Sequence, residues 1–93
     1  KAMKFIAAID VMPHKELLDP QGKAVAANLS HIHIEGVADV RIGKHIVMVL
    51  EAENAEAASD TVDLACKKLL ANLIMETYSF QIHPLEVPVE AAP

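Results

Sequence analysis

Apolar and polar residues alternate from the beginning of the chain. Phe5, Ala7, Ile9 and Val11 interleave with Lys4, Ile6, Ala8 and Asp10, the two-residue period of a strand whose second face is itself partly apolar. This pattern predicts a well-buried first strand over residues 3–12, stopped by Pro13, which has no N–H to give to a sheet ladder. A connection from His14 leads to Asp19-Pro20, which reads as a helix start. The Asp carboxylate can accept an orphan amide bond, and a proline in the first helical position gives up nothing. Val25, Leu29 and Ile32 then recur at spacings of four and three among Ala24, Ala26 and Ala27, so a helix is predicted to end near residues 31–33. Residues 37–42 and 45–51 are both rich in β-branched side chains, and the short Gly43-Lys44 link predicts a hairpin between two antiparallel strands. Asn54 is placed to cap a second helix on which Ala58, Val62, Ala65 and Leu69 share a face. Lys67 and Lys68 lie near its C-terminal end, where cations suit the helix dipole, and Asn72 is expected as its left-handed stop. Tyr78, Phe80 and Ile82 alternate with Thr77, Ser79 and Gln81, predicting a further strand over residues 76–82.

The predicted order, β-α-β-β-α-β, is that of an α+β, ferredoxin-like layer: a four-stranded antiparallel sheet with two helices on one face. It makes a single domain over residues 3–83, followed by a tail over 84–93 that contains Pro84, Pro88 and Pro93. One sheet face has no helix to cover it. Ile6, Ala8, Val47 and Val49 give that face an apolar centre, so a sheet-mediated dimer or larger assembly is expected.

Composition strengthens the expectation of assembly. A chain of 93 residues buries only about 60–65% of the surface its unfolded form exposes. Although 53% of the residues are apolar, Phe5, Phe80 and Tyr78 are the only aromatics. A core of small aliphatic side chains gains from burying further surface against another protein. The net charge of −5 and pI near 5.4, with Lys and Arg dispersed, speak against nucleic acid and against an anionic membrane surface as partners. Cys66 is the one cysteine and has no internal disulfide partner, and no apolar run approaches the ~18 residues of a membrane span. A cytoplasmic location is therefore expected. Lys1 and Ala2 precede Met3, which raises the expectation that the natural chain starts at Met3.

Little in the sequence offers catalytic chemistry. Gly22, Gly36 and Gly43 are isolated and match no phosphate-binding fingerprint, so the chain is not expected to bind ATP. Cys66 lies on the apolar stripe of the second helix and reads as a small buried thiol. His31 and His33 stand two apart at a helix end, on different sides of it and without a cysteine or carboxylate at ligand spacing, which argues for a solvated helix end over a metal site. Lys67-Lys68 and the acidic residues from Glu51 to Glu56 read as solvated charge. Two segments stand out. Asp19-Pro20-Gln21-Gly22-Lys23 puts a glycine in the first turn of a helix, where it costs up to about 1 kcal/mol relative to alanine unless the backbone needs close approach. Val40-Arg41-Ile42-Gly43-Lys44 sets two cations beside a turn. Each reads either as scaffold, a tight cap and an exposed charged turn, or as contact with a partner.

These segments, Leu18-Asp19-Pro20-Gln21-Gly22-Lys23-Ala24 and Val40-Arg41-Ile42-Gly43-Lys44, together with Cys66-Lys67-Lys68-Leu69-Leu70-Ala71-Asn72, resemble the PurS family in the same order along the chain. The resemblance runs from about Met3 to Ile82. It implies a non-catalytic subunit of phosphoribosylformylglycinamidine (FGAM) synthase, the cytoplasmic purine-biosynthetic complex that makes FGAM from formylglycinamide ribonucleotide, glutamine and ATP. By the same resemblance, ATP and magnesium belong to the synthetase subunit PurL and ammonia release to the glutaminase subunit PurQ, so this chain binds no cofactor. Its partners would be itself, as homodimer or homotetramer, and those two subunits. Asp19, Pro20, Gln21, Gly22, Lys23, Arg41, Gly43 and Lys44 become the candidate subunit contacts. Two positions depart from the family pattern: His33 stands where a glycine is expected after the first helix, and Leu73 where a proline is common. The rival reading of the same layout is a dimeric ACT-like module that binds a small regulatory molecule, because the fold alone does not separate the two.

Overall fold

The computed structural model describes residues 2–85. Strand β1 (Met3–Pro13) is the middle of a three-stranded antiparallel sheet of order β2-β1-β3, with β2 at Lys44–Ala52 and β3 at Glu76–Pro84. The register sets Ile6 opposite Val49 and His83, and Ala8 opposite Val47 and Gln81. Helix α1 spans Pro20–His31 and α2 spans Ala55–Ala65, the latter running on into a π-helical turn at Cys66–Leu70.

The alternation in the first strand becomes the core. Phe5, Ala7, Ile9 and Val11 are all at most 1% exposed, and the last three pack in one cluster with Val62 of α2 and Cys66 of the π-helical turn, both fully buried. Full burial of a side chain such as Phe5, Ile9, Val11 or Val62 contributes about 1.5–3 kcal/mol, so this strand-on-helix contact is what holds the sheet. Edge strands add Ile46, Met48 and Leu50 from β2 and Tyr78, Phe80 and Ile82 from β3, all partly buried. Asn54 caps α2 as its sequence suggests, its side chain accepting from Ala57 N at 2.8 Å.

The fourth strand of the expected fold does not form: residues 34–43 belong to no strand. In a two-residue hairpin at Gly43-Lys44, Ile42 N–H would answer the carbonyl of His45. Instead it donates to the Asp19 carboxylate at 2.9 Å, and the Val40 carbonyl is pressed against Gly22. The turn chemistry is thus overridden by a long-range contact. Nor do both helices cover one sheet face. Helix α1 stands off from the sheet, with Gly22 its only buried residue, leaving Val25 at 38% and Ile32 at 63% exposed.

Two helix ends differ from each other in kind. His33 adopts φ 68°, with its N–H bonded to Ser30 O and that of Ile34 to Leu29 O, the paired closure of a Schellman motif with histidine in the left-handed position. Asn72, expected in that conformation, is not left-handed. The i→i+5 bond from Ala71 N to Cys66 O closes the π-helical turn, and Asn72 Oδ1 then accepts from Ile74 N in an Asx turn. Of the tail expected over residues 84–93, Pro84 belongs to β3 and Leu85 N donates to Lys4 O; residues 86–93 lie outside the described residues.

Candidate functional site

The two segments that stand out in the sequence meet. Asp19, in extended conformation ahead of α1, turns its carboxylate so that Oδ1 accepts from Gly22 N at 3.0 Å, closing the first helical turn, while Oδ2 accepts from Ile42 N at 2.9 Å. One side chain therefore caps a helix and pins a segment 23 residues further along the chain. These donors hold the Asp19 carboxyl below its ordinary 3.8, Gly22 first and Ile42 second; burial opposes them, and the Arg41 charge adds a lesser lowering.

Arg41 closes the other side. Its guanidinium donates to three successive backbone carbonyls where β1 leaves the sheet: Pro13 at 3.0 Å, His14 at 2.6 Å and Lys15 at 3.2 Å. A planar fork of five donors suits such a row of acceptors, where a lysine ammonium would serve as a point charge. Gly22 and Gly43 are the close-approach positions. A Cβ on Gly22 would stand 2.0 Å from Val40 O, and one on Gly43 would stand 2.2 Å from Val11 O and 2.3 Å from Met12 Sδ. Asp19, Gly22, Arg41, Ile42 and Gly43 thus form an internal clasp that ties residues 40–43 to the end of β1 and the start of α1.

The remaining candidates lie around this clasp. Pro20 takes the first helical position, and Gln21 and Lys23 point into solvent from the first turn. Lys44 Nζ reaches Leu70 O at 3.3 Å and Glu76 Oε2 at 3.8 Å, bracing β2 to the turn after α2. Sequence reasoning found the side chains but missed what they bind, because backbone carbonyls and amides carry no residue identity.

A second cluster was missed outright. Tyr78 OH donates to Asp63 Oδ1 at 2.5 Å, and Lys67 Nζ pairs with Asp63 Oδ2 at 2.9 Å, so Lys67 is more than solvated charge. The Asp63–Lys67 spacing of four was legible on a helix; the tyrosine, on another element, was not. The bond to Asp63 pushes the Tyr78 hydroxyl up to about 12, and the bonds from Tyr78 and then Lys67 hold Asp63 down. Burial, with the Asp63 charge behind it, raises the Cys66 thiol. No group of three or more His, Cys, Asp or Glu side chains is placed to hold a metal among the described residues. None of the described helices is long and apolar enough to cross a membrane.

The family model described as PurS, phosphoribosylformylglycinamidine (FGAM) synthase, matches residues 6–84 and so takes in both segments of the clasp. The chain belongs to the PurS family. Among PurS relatives, the PurS subunit of Synechocystis sp. is 46% identical over 70 residues, 75% of this chain and 70% of its own length. The solved PurS subunit of Thermotoga maritima superposes with a TM-score of 0.79 at 34% identity, over 91% of this chain and 95% of that one. A PurS chain in the PurLQS structure from the same organism gives 0.77 at 35% identity, over 88% and 98%. The likeness spans nearly the whole of these solved chains, and with it the ACT-like reading gives way. As a PurS subunit, this chain is one part of a ligase.

Proposed function

We propose that this chain is the small structural subunit of FGAM synthase, contributing shape and contact surface while other polypeptides hold the reacting groups. On this reading ATP and magnesium sit in the synthetase subunit PurL, the glutaminase subunit PurQ releases ammonia, and the assembly works in the cytoplasm. The observation that carries it is the PurS match along residues 6–84, supported by the likeness to a chain of a PurLQS assembly. The clasp agrees in kind: its polar groups are satisfied by one another, so it shapes a surface and leaves no free acid, base or nucleophile aimed at a substrate.

The candidate contacts divide accordingly. Asp19, Pro20, Gly22, Arg41, Gly43 and Lys44 set the form of a contact surface, and the exposed Gln21 and Lys23 reach a partner subunit from it. Self-association completes the reading, as homodimer or homotetramer. The outer sheet face supports it: Ile6 and Ala8 pair with Val49 and Val47 between two polar rungs, the Lys4–Glu51 ion pair and the Asp10–His45 hydrogen bond, each at 2.7 Å. The test is reconstitution. Glutamine-dependent FGAM synthesis by PurL and PurQ is expected to need this chain and the chain to migrate with them; synthesis undiminished without it would overturn the proposal.

A further inference from the structure

The second helix ends in a way that exposes what its pattern would bury. Ala58, Val62, Ala65 and Leu69 share a face by spacing, and the first two are fully buried, yet Leu69 is 82% exposed. The π-helical turn is the cause. Its i→i+5 bond from Ala71 N to Cys66 O widens the last turn, so that Cys66 and then Leu70 continue the inner stripe while Leu69 swings into solvent. The chain then turns over residues 72–75 and exposes Leu73, Ile74 and Met75 at 48%, 83% and 49%. A cleft of about 230 Å³, bordered by Leu17, Leu18, Gln21, Ile42 and Met75, joins this tip to the start of α1, where Leu18 is 68% exposed. Large apolar side chains thus stand in water at one end of the molecule, continuous with the exposed Gln21.

Backbone bonds hold this tip on both sides. Asn72 O accepts from Met75 N at 2.9 Å and from Glu76 N at 2.7 Å, Asn72 Oδ1 accepts from Ile74 N at 3.1 Å, and Asn72 N donates to Glu76 Oε1 at 2.8 Å. Just past β1, His14 N donates to Met75 O at 2.9 Å, and His14 Nε2 stands 3.3 Å from Leu73 O. Turn tips ordinarily carry Gly, Pro, Asn, Asp and Ser. Here a bonded frame presents leucine, isoleucine and methionine, which stabilises nothing within the chain and lowers the ordering cost of binding a partner. The free charge beside it is positive: Asp63 takes Lys67 and Glu76 takes Lys44, which leaves Lys68 without a charge partner among the described residues. A second copy is a poor occupant. A twofold contact sets a patch against itself, so Lys68 would face Lys68 with both neighbouring carboxylates already engaged. The outer sheet face named above for self-association also lies across the sheet from α2.

We propose that Leu18, Leu69, Leu73, Ile74 and Met75 form a docking surface for an apolar, carboxylate-edged segment of a larger subunit of the ligase. The cleft beside Met75 takes one apolar side chain of that segment, and Lys68 takes a carboxylate at its edge. This rests on the place in the FGAM synthase assembly proposed above and specifies the surface through which the chain enters it.

The test measures binding of the whole chain to immobilised PurL and to immobilised PurQ, singly and mixed, with sedimentation and circular dichroism alongside. Leu69→Ser with Ile74→Ser is expected to weaken binding about tenfold or more, while the self-associated mass and Tm stay as in the wild type, because both side chains are more than 80% exposed. Lys68→Glu, which breaks no bond within the chain, is expected to weaken binding about threefold or more at low salt, with Lys68→Arg restoring it; it keeps the proposal open to refutation if the double variant folds poorly. Wild-type affinity in Lys68→Glu and in the folded double variant overturns this surface and leaves the place in the assembly standing. A changed self-associated mass in the double variant assigns the patch to another copy and also overturns it. A wild-type chain that binds neither subunit nor their mixture overturns the assembly reading itself.

Discussion

Gly22→Ala puts helix propensity and close packing in direct opposition. In an exposed first turn, alanine is favoured over glycine by up to about 1 kcal/mol. Here a new Cβ would lie 2.0 Å from Val40 O, 2.9 Å from the carbonyl carbon behind it and 2.8 Å from Asp19 Oδ2. None of these is the free end of a flexible chain. Val40 is held through the residues that follow it, Arg41 by its three bonds and Ile42 by its bond to Asp19. Reaching an ordinary contact near 3.4 Å means moving that segment by about 1.4 Å, enough to break bonds of 2.9–3.0 Å. Overpacking costs typically 1–3 kcal/mol, and a backbone obstacle puts this case at the upper end. After the propensity gain, a net loss of about 2 kcal/mol is expected. For a domain of this size that lowers Tm by roughly 8–16 °C, read by circular dichroism at one fixed chain concentration, since self-association shifts Tm by mass action. An unchanged or raised Tm would refute the reasoning, because it would mean that the clasp gives way freely and propensity alone decides.

The other predictions test separate parts of the structure. His33→Gly relieves a left-handed histidine at φ 68° and is expected to stabilise by about 0.5–1 kcal/mol, the strain removed less the entropy glycine adds to the unfolded chain; a lower Tm would count against the Schellman closure. Arg41→Lys keeps the charge but cannot span three carbonyls, so it should cost about 1–2 kcal/mol, with urea denaturation as the measure and wild-type stability as the contrary result. Gln21→Ala with Lys23→Glu should weaken co-migration with PurL and PurQ while leaving Tm within a degree or two, since neither side chain belongs to the clasp; undiminished co-migration would remove them from the contact surface. The pH profile has a definite sign. Asp19 and Asp63 are depressed in the folded state, so their stabilisation is complete above 3.8 and fades as pH falls below it. Tyr78 is raised to about 12, so its contribution is complete below 10 and is lost as pH rises from 10 to 12. Tyr78→Phe should flatten that alkaline limb, and an unaltered slope would rule out the Asp63 bond as its source.

Much of this fold could be read from the chain because its signals are local. The period of two in residues 5–11 gave the central strand, and its apolar half is the buried half. Asp19-Pro20 and Asn54 cap the helices they were read to cap. The errors arise where a distant group outbids a local preference. Gly43-Lys44 is short enough for a hairpin turn, yet Asp19 takes the amide that a hairpin requires. Asn72 suits a left-handed stop, yet its side chain is engaged in an Asx turn and the π-helical bond has already closed the helix. Of the clasp, Asp19, Gly22, Arg41 and Gly43 stood out in the sequence, whereas Ile42 and the bonds that join them did not. Nothing in the sequence tells that the glycine at 22 serves the carbonyl at 40.

Residues 37–42 carry the same lesson further. Their composition is that of a strand, and the stripe on α1 is that of a helix with a layer to cover, yet the described residues provide neither a ladder for the one nor a layer for the other. Apolar side chains at such spacings are stable only where something buries them. A pattern of hydrophobic residues specifies that a neighbour exists; it does not specify which copy of the chain supplies it. The clasp is the device that keeps these residues from a ladder in this chain. By holding Val40 and Ile42 against the start of α1 and Arg41 against the end of β1, Asp19, Gly22 and the three carbonyls at 13–15 spend on one another the groups that a hairpin would have used.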